Sequence, residues 1–394
     1  MVMRESTTQL AESVAEATDQ VGEIQLPDGS IMPDVPDHIV NLCMNKLKYS
    51  YRQLCTDLGS SALLAYEVFE GDMLNWDASG FTSKPDFSIS HANWQMYSGD
   101  PEAYTPYLAP QRVPNAHRGT DFVQTFALLK PHVFTDTACA AVVSEATAQV
   151  AHPRAVCIAD APIRSSAYTQ GDGSVLFSEL IAAKSRSGPQ TYGAFIVSDF
   201  ERKYNEMTAG SLHPLAFSYR SLLCDTHWPI EDERSLWLQV HDIYHDIGRL
   251  PHSQYLSMKM KFAPAVMDEL KADSSAFIAL QGISDETKQL AQRNISDKML
   301  RFPFSPYGFA SVDAAVGEVL FRESIRTGAI SMKRNQITLN PTLLSETMEE
   351  ILQQALKVEE SASVQDYYRL CTEYLSSRDI PQGSSRHILD EVSQ

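Results

Sequence analysis

The chain has 394 residues, 43% hydrophobic and 21% charged, which is the composition of a globular protein long enough for two fused domains. Asp and Glu outnumber Lys and Arg by 50 to 32, giving a net charge of −18. That balance argues against a protein that tracks nucleic-acid phosphates or docks on an anionic membrane. The six cysteines (Cys43, Cys55, Cys139, Cys157, Cys224, Cys371) are scattered, with no C-x-x-C pair. They read as reduced, packed thiols rather than zinc ligands or disulfides. With no signal-like or membrane-spanning apolar run, the expected location is cytoplasmic.

In chain order, residues 1–25 are polar and acidic and read as a flexible tail or frayed helix. Pro27 to Pro36 forms a Pro/Gly/Asp connector. From His38 to Glu70 the apolar spacing predicts helices, and Gly71–Arg118, rich in Asp, Ser, Pro and aromatics, reads as loop. A helical pattern returns at Asp136–Val150. Ala155–Ala161, Ser174–Leu180 and Thr191–Val197 are short apolar runs, and Gly171-Asp172-Gly173 is a hairpin-type turn signal; the three runs are expected in one sheet. After Asp199 the chain reads as almost wholly helical. The expected fold is α+β and mostly helical, in two lobes: an N-terminal α/β lobe over 26–210 with a small sheet, and a helical lobe over 211–394. A metal is expected in the cleft between them.

The chemistry concentrates in two helical patterns. In Glu231–Gly248, Leu236, Val240, Ile243 and Ile247 recur at helical spacing, acidic residues crowd the first turn, and Gly248 stands at the expected C-terminus. His241 and His245 are four residues apart and so share one side, as two ligands of one metal must. The second pattern opens at Ala263, with Pro264 in its first turn and Val266, Leu270, Phe277 and Leu280 as buried positions. Here Glu269 and Asp273 share a face. Glu269 can complete a set of two histidines and one carboxylate with a position left open, while Asp273 can accept the free N–H of a ligand imidazole.

Read together, the pattern is H-D-x-x-H, 23 intervening residues, then E-x-x-x-D. This resembles the gluzincin metallopeptidases, and the wording of Asp268–Asp273 (D-E-L-K-A-D) is similar to the dipeptidyl-peptidase III family. The resemblance continues through Val319–Ile330, through Gln336–Asn340 and into the helices ending in VQDYYRLCTEYL, covering roughly residues 231–380. It implies zinc held by His241, His245 and Glu269, Asp242 as general base and Asp273 behind the ligands. Two departures stand out: Asp242 replaces the usual glutamate, one methylene shorter, and the two halves of the motif lie closer together.

A rival pattern overlaps the first. His245-Asp246-Ile247-Gly248 resembles the HD-domain phosphohydrolases, which would draw on His213 or His227 upstream and Asp297 or Asp313 downstream. A two-histidine, one-carboxylate set also suits Fe2+ or Mn2+, and hence an oxidase, lyase or cyclase acting on a small metabolite. A further reading is a non-catalytic zincin-like binding protein that has lost its base. Tyr244, Tyr255, Tyr307, Arg322 and Arg326 are candidates for substrate contact, weighed against packing or solvated roles. His91, His117 and His132 have no metal-ligand spacing. The expected function is metal-dependent hydrolysis of an amide or peptide-like bond in a small or short peptide-like substrate, without nucleic-acid or membrane partners. The oligomeric state is not written in the sequence.

Overall fold

A computed structural model describes residues 4–83, 85–87, 90, 104–115, 119–134, 136–148, 150, 155–166, 175–177, 192–196, 228–259, 261–301, 312–333 and 336–378. The chain divides into two compact units. The first comprises Met1–Val133 and Val156–Asp199, and the second Phe134–Ala155 and Phe200–Gln394. The expected positions Gly171-Asp172-Gly173, His91, His117, His213, His227 and Tyr307 lie outside the described residues, as does the stretch 197–227.

The first unit opens with three helices, α1 (Glu5–Glu23), α2 (Asp37–Leu58) and α3 (Ser60–Ala78). The segment expected as a flexible tail or frayed helix is a helix with a buried face. Its polar composition hides a stripe at helical spacing, Ala11, Val14, Ala15, Thr18 and Val21, and that stripe is buried. In α2 the buried stripe is Val40, Met44, Leu47, Tyr51 and Leu54. Gly59, with φ of 107°, lets the chain turn directly from α2 into α3.

Among the described residues, the sheet of this unit has five strands in the order β1-β2-β3-β5-β4. They are β1 (Thr105–Asn115), β2 (Gly119–Pro131), β3 (Ala155–Arg164), β4 (Val175–Phe177) and β5 (Tyr192–Ile196). The last three fall on the three runs read as strands. The expected loop over Gly71–Arg118 needs correction, because its start completes α3 and its end is β1. Pro106, Pro110 and Pro114 broke the strand signal there. They face Leu128, Gln124 and Thr120 in the β1–β2 register. The Gln124 N–H is taken by Gln25 Oε1 and the Phe126 N–H by Ser165 Oγ, so even-numbered β2 residues direct their N–H away from β1. Antiparallel pairing then directs the even-numbered positions of β1 away from β2 as well. The three prolines therefore cost the β1–β2 ladder nothing.

The second unit holds α4 (Thr137–Ala148), α5 (Ile230–Tyr244), α6 (His252–Lys259), α7 (Phe262–Gln281), α8 (Asp285–Arg301), α9 (Val312–Arg326), α10 (Pro341–Glu359) and α11 (Val364–Ser376). A two-stranded hairpin, β6 (Ile330–Lys333) with β7 (Gln336–Leu339), precedes α10. Helix α4 was expected in the N-terminal lobe. It belongs here because Cys139, Val142 and Ala146 join the apolar core that includes Leu236 and Val240 of α5. That core centres on α7, where Val266, Leu270, Phe277 and Leu280 are all inaccessible to solvent. Buried charges tie α8 to α5: Arg293 forks onto Glu233 at 2.6 Å, and Arg234 reaches Asp297 at 3.1 Å. Burial pushes the thiols of Cys55, Cys139 and Cys371 up to about 12, as suits packed, protonated cysteines. No helix among the described residues is long and apolar enough to cross a membrane.

Candidate metal centre

Helix α5 begins after Pro229 with Glu231, Asp232 and Glu233 in its first turn, where the helix dipole favours acidic groups. It ends at Tyr244, so His241 stands in its last turn and His245 caps it in a still-helical conformation. The two imidazoles sit at the negative end of the dipole, the end that favours a cation. After His245 the chain turns at Gly248, whose φ is 85°. A Cβ there would meet the Glu359 carboxylate and the Leu356 side chain of α10, and the positive φ itself favours glycine. Glu359 accepts the Leu250 N–H at 3.1 Å, and Lys271 donates to the Ile247 carbonyl at 2.8 Å. The loop after the motif is thus pinned by side chains from two helices.

Helix α7 faces α5 with its polar residues. His241 Nε2 and His245 Nε2 are 3.1 Å apart. Glu269 brings Oε2 to 3.3 Å from the first and Oε1 to 3.4 Å from the second. Three side chains therefore bring their donor atoms together at one place, and each is a metal ligand type. The edge of a tetrahedron with metal–ligand bonds of about 2.0–2.1 Å is about 3.3–3.4 Å, so these separations fit a small divalent ion. The opposite side of each ring is held by a carboxylate. Asp268 Oδ2 accepts from His245 Nδ1 at 2.9 Å. Asp273 Oδ1 lies 2.8 Å from His241 Nδ1, a charge contact whose direction falls outside hydrogen-bond geometry. With one proton held at each Nδ1, loss of the second ring proton would leave each Nε2 lone pair facing the point of convergence.

Sequence reasoning had not assigned the surrounding charges. Asp268 also contacts His252 Nδ1 at 2.6 Å and pairs with Lys259 and, at 3.3 Å, with Lys271. Glu359 closes this network on Lys271 at 2.7 Å and Lys259 at 3.2 Å. On the other side Lys298 of α8 reaches Asp273 at 2.7 Å and Glu269 at 3.3 Å. The only sequence hint was polar residues at Asp268 and Lys271, beside the buried apolar positions of α7.

The electrostatics follow from these contacts. Burial alone would lower the His241 pKa, but the Asp273 and then the Glu269 carboxylate raise it to about 10. His245 is raised too, against its burial, by Glu269 and Asp268. Burial pushes the Asp268 and Glu269 carboxyls up. The cations win: Lys271, His245 and Lys259 hold Asp268 well below the usual carboxylate range, and Lys298 with His245 does the same for Glu269.

The remaining sequence candidates fall as follows. Asp242 is buried at 1% exposure in the last turn of α5 and is not part of the converging trio; Asp246 is buried as well and is also outside it. Asp297 is engaged by Arg234, and Asp313 lies 3.5 Å from Lys298. Tyr244 is buried, whereas Tyr255 is exposed in the kinked helix α6. Arg322 and Arg326 pair with Glu318 and Glu323 of their own helix. His132 lies 4.0 Å from Asp160 in the first unit.

No protein-family model matches the sequence, and no curated protein matches it. Solved structures do. The chain is similar to dipeptidyl-peptidase III from Corallococcus sp. strain EGB at 14% identity and a TM-score of 0.53, covering 99% of this chain and 78% of that one. It is similar to DPP III from Caldithrix abyssi at 10% identity and a TM-score of 0.58, covering 95% of this chain and 74% of that one. Along nearly its whole length, this mostly helical chain with a small antiparallel sheet has the fold of the dipeptidyl-peptidase III structures.

Proposed function

We propose that the protein is a metal-dependent hydrolase of the zincin type, acting on an amide or peptide-like bond in a small or short peptide-like substrate. The observation that carries this reading is the convergence of His241 Nε2, His245 Nε2 and Glu269 at 3.1–3.4 Å, with a carboxylate behind each imidazole. The fold supports it, since the structures sharing it are peptidases by name. In this reading His241, His245 and Glu269 hold the ion, with zinc favoured by the nitrogen–oxygen donor set and Fe2+ or Mn2+ as alternatives. When bound, such an ion supplies Lewis-acid polarisation of a carbonyl and acidification of water. Asp268 and Asp273 face the two Nδ1 atoms and favour the ring proton there, so that each ring could offer its Nε2 lone pair to an ion once the second proton leaves. Asp242 is the proton acceptor, in the position next to His241 where the zincin pattern carries its base.

The test is compositional first. Purified protein is expected to hold about one divalent ion per chain, filling one three-ligand site. His241→Ala and Glu269→Gln should strip it, while Asp246→Asn should keep it; the reverse pattern would favour the HD-phosphohydrolase alternative. Asp242→Asn should retain the metal and lose hydrolysis of a dipeptidyl amide by about 10²-fold or more. Protein free of metal after growth in zinc-, iron- and manganese-supplemented medium would overturn the proposal.

A further inference from the structure

One buried cation at this site, Lys298, is neither a metal-ligand type nor the proposed proton acceptor. Lys298 enters from α8 with its side chain 11% exposed, and its Nζ stands 2.7 Å from Asp273 Oδ2, 3.3 Å from Glu269 Oε2 and 3.5 Å from Asp313 Oδ1. The same Glu269 Oε2 is 3.3 Å from His241 Nε2. The ammonium is therefore one carboxylate oxygen away from the place where the three side chains bring their donor atoms together. Lys259 and Lys271, by contrast, pair with Asp268 and Glu359 and make no contact with Glu269.

An ammonium against a ligand carboxylate has two opposed effects. Without a metal it neutralises carboxylates that burial would otherwise penalise, and it keeps Glu269 and Asp273 aligned on one centre. With a metal it shares the charge of Glu269 and repels a second cation in a poorly screened interior. We propose that Lys298 is a resident counter-charge: it holds the ligand set in place without metal, and it keeps the site's metal affinity below what two histidines and one glutamate alone would give. The inference rests on the metal reading of the previous section and deepens it, because it makes the centre one that loads and releases its ion readily.

Removing the charge separates this role from a merely structural one. Damage to the scaffold lowers metal affinity, whereas loss of a repelling charge raises it. The measurement is competition for Zn2+ between the apo-protein and a chelator of known affinity, alongside the thermal midpoint with and without Zn2+. Lys298→Met should bind Zn2+ at least ~10-fold more tightly than wild type, since a unit charge in such close range acts at low effective dielectric. It should also melt lower than wild type without metal and show a larger midpoint rise on loading. Lys298→Arg, which keeps the charge, should stay near wild-type affinity. Where the methionine variant does not fold, Lys298→Gln carries the same test, with its amide still donating to Asp273. Unchanged or weaker Zn2+ binding in the neutral variant, with wild type binding normally, overturns the inference and leaves the metal reading standing. Wild-type protein that binds no Zn2+ overturns both.

Discussion

Helices α2 and α7 show two ways of burying a helix. In α2 one stripe is buried, from Val40 through Leu54, while Leu42 and Tyr49 remain 64% and 67% exposed. In α7 the buried set runs around the helix and takes in Asp268, Lys271, Asp273, Ser274 and Ser275 along with Val266, Leu270 and Phe277. Burial of an apolar stripe stabilises residue by residue, each side chain contributing its own transfer free energy. Burial of charges stabilises only as a set, because each ion's desolvation is offset by partners that must all be present. Around α7 those partners come from α5, α6, α8 and α10. The helix that supplies the candidate ligand Glu269 is therefore one whose parts are hard to separate.

The sharpest way to break that contrast is Asp268→Ala. It leaves Lys259, Lys271, His245 and His252 without their shared acceptor, and should cost about 3–5 kcal/mol in urea denaturation, the range for breaking a buried pair from one side. Adding Lys271→Met should cost less than the two single changes summed, since the second change removes a charge the first left unpaired. Additive costs would show that the network does not act as a set.

The counterpart in the first unit is Leu47→Ala, fully buried on α2, with an expected loss of about 2–4 kcal/mol. That loss should be the same at pH 5 and pH 9, because no titrating group is involved. A strong pH dependence would mean that α2 is not the purely apolar case drawn here.

The pH profile of the metal-free protein distinguishes the units further. His241 has a raised pKa, so its contribution is complete below about 6.5, its unfolded value, and is lost as pH rises towards about 10. Asp268 and Glu269 are depressed, so theirs is present above about 4 and lost as pH falls. Urea midpoints measured in chelator should therefore fall on both sides of mildly acidic pH. Added Zn2+ should flatten the alkaline limb, since an ion on Nε2 takes over from the proton; an alkaline limb unchanged by Zn2+ would count against the site. The smallest effect is expected from Arg369→Ala on the solvent-facing side of α11, where its partners Asp366 and Glu373 are open to solvent. Its thermal midpoint should not move measurably.

What could be read from the sequence follows the same division. Periodic signals close in sequence were legible: the α5 stripe, the four-residue spacing of His241 and His245, the Glu269–Asp273 pair and the three short strands. Signals that need a distant partner were not. Glu359 meets Lys259 and Lys271 across 100 and 88 residues, and Lys298 meets Glu269 across 29. Nothing local marks a lysine on α8 as buried rather than solvated. The packing of α1 escaped because its buried face is built from alanine, valine and threonine, which carry little hydrophobic weight when averaged with Glu and Gln. Strand β1 escaped because proline is read as a breaker, and only the sheet order shows that it lies where a breaker is tolerated.

That strand has one more consequence. Positions 106, 108, 110, 112 and 114 direct their backbone outward from β2, and three of the five are proline. At those three positions the backbone has no N–H to give on the side away from β2. Among the described residues, β1 therefore has few donors to give beyond its pairing with β2, and a strand short of donors is a poor template for adding another.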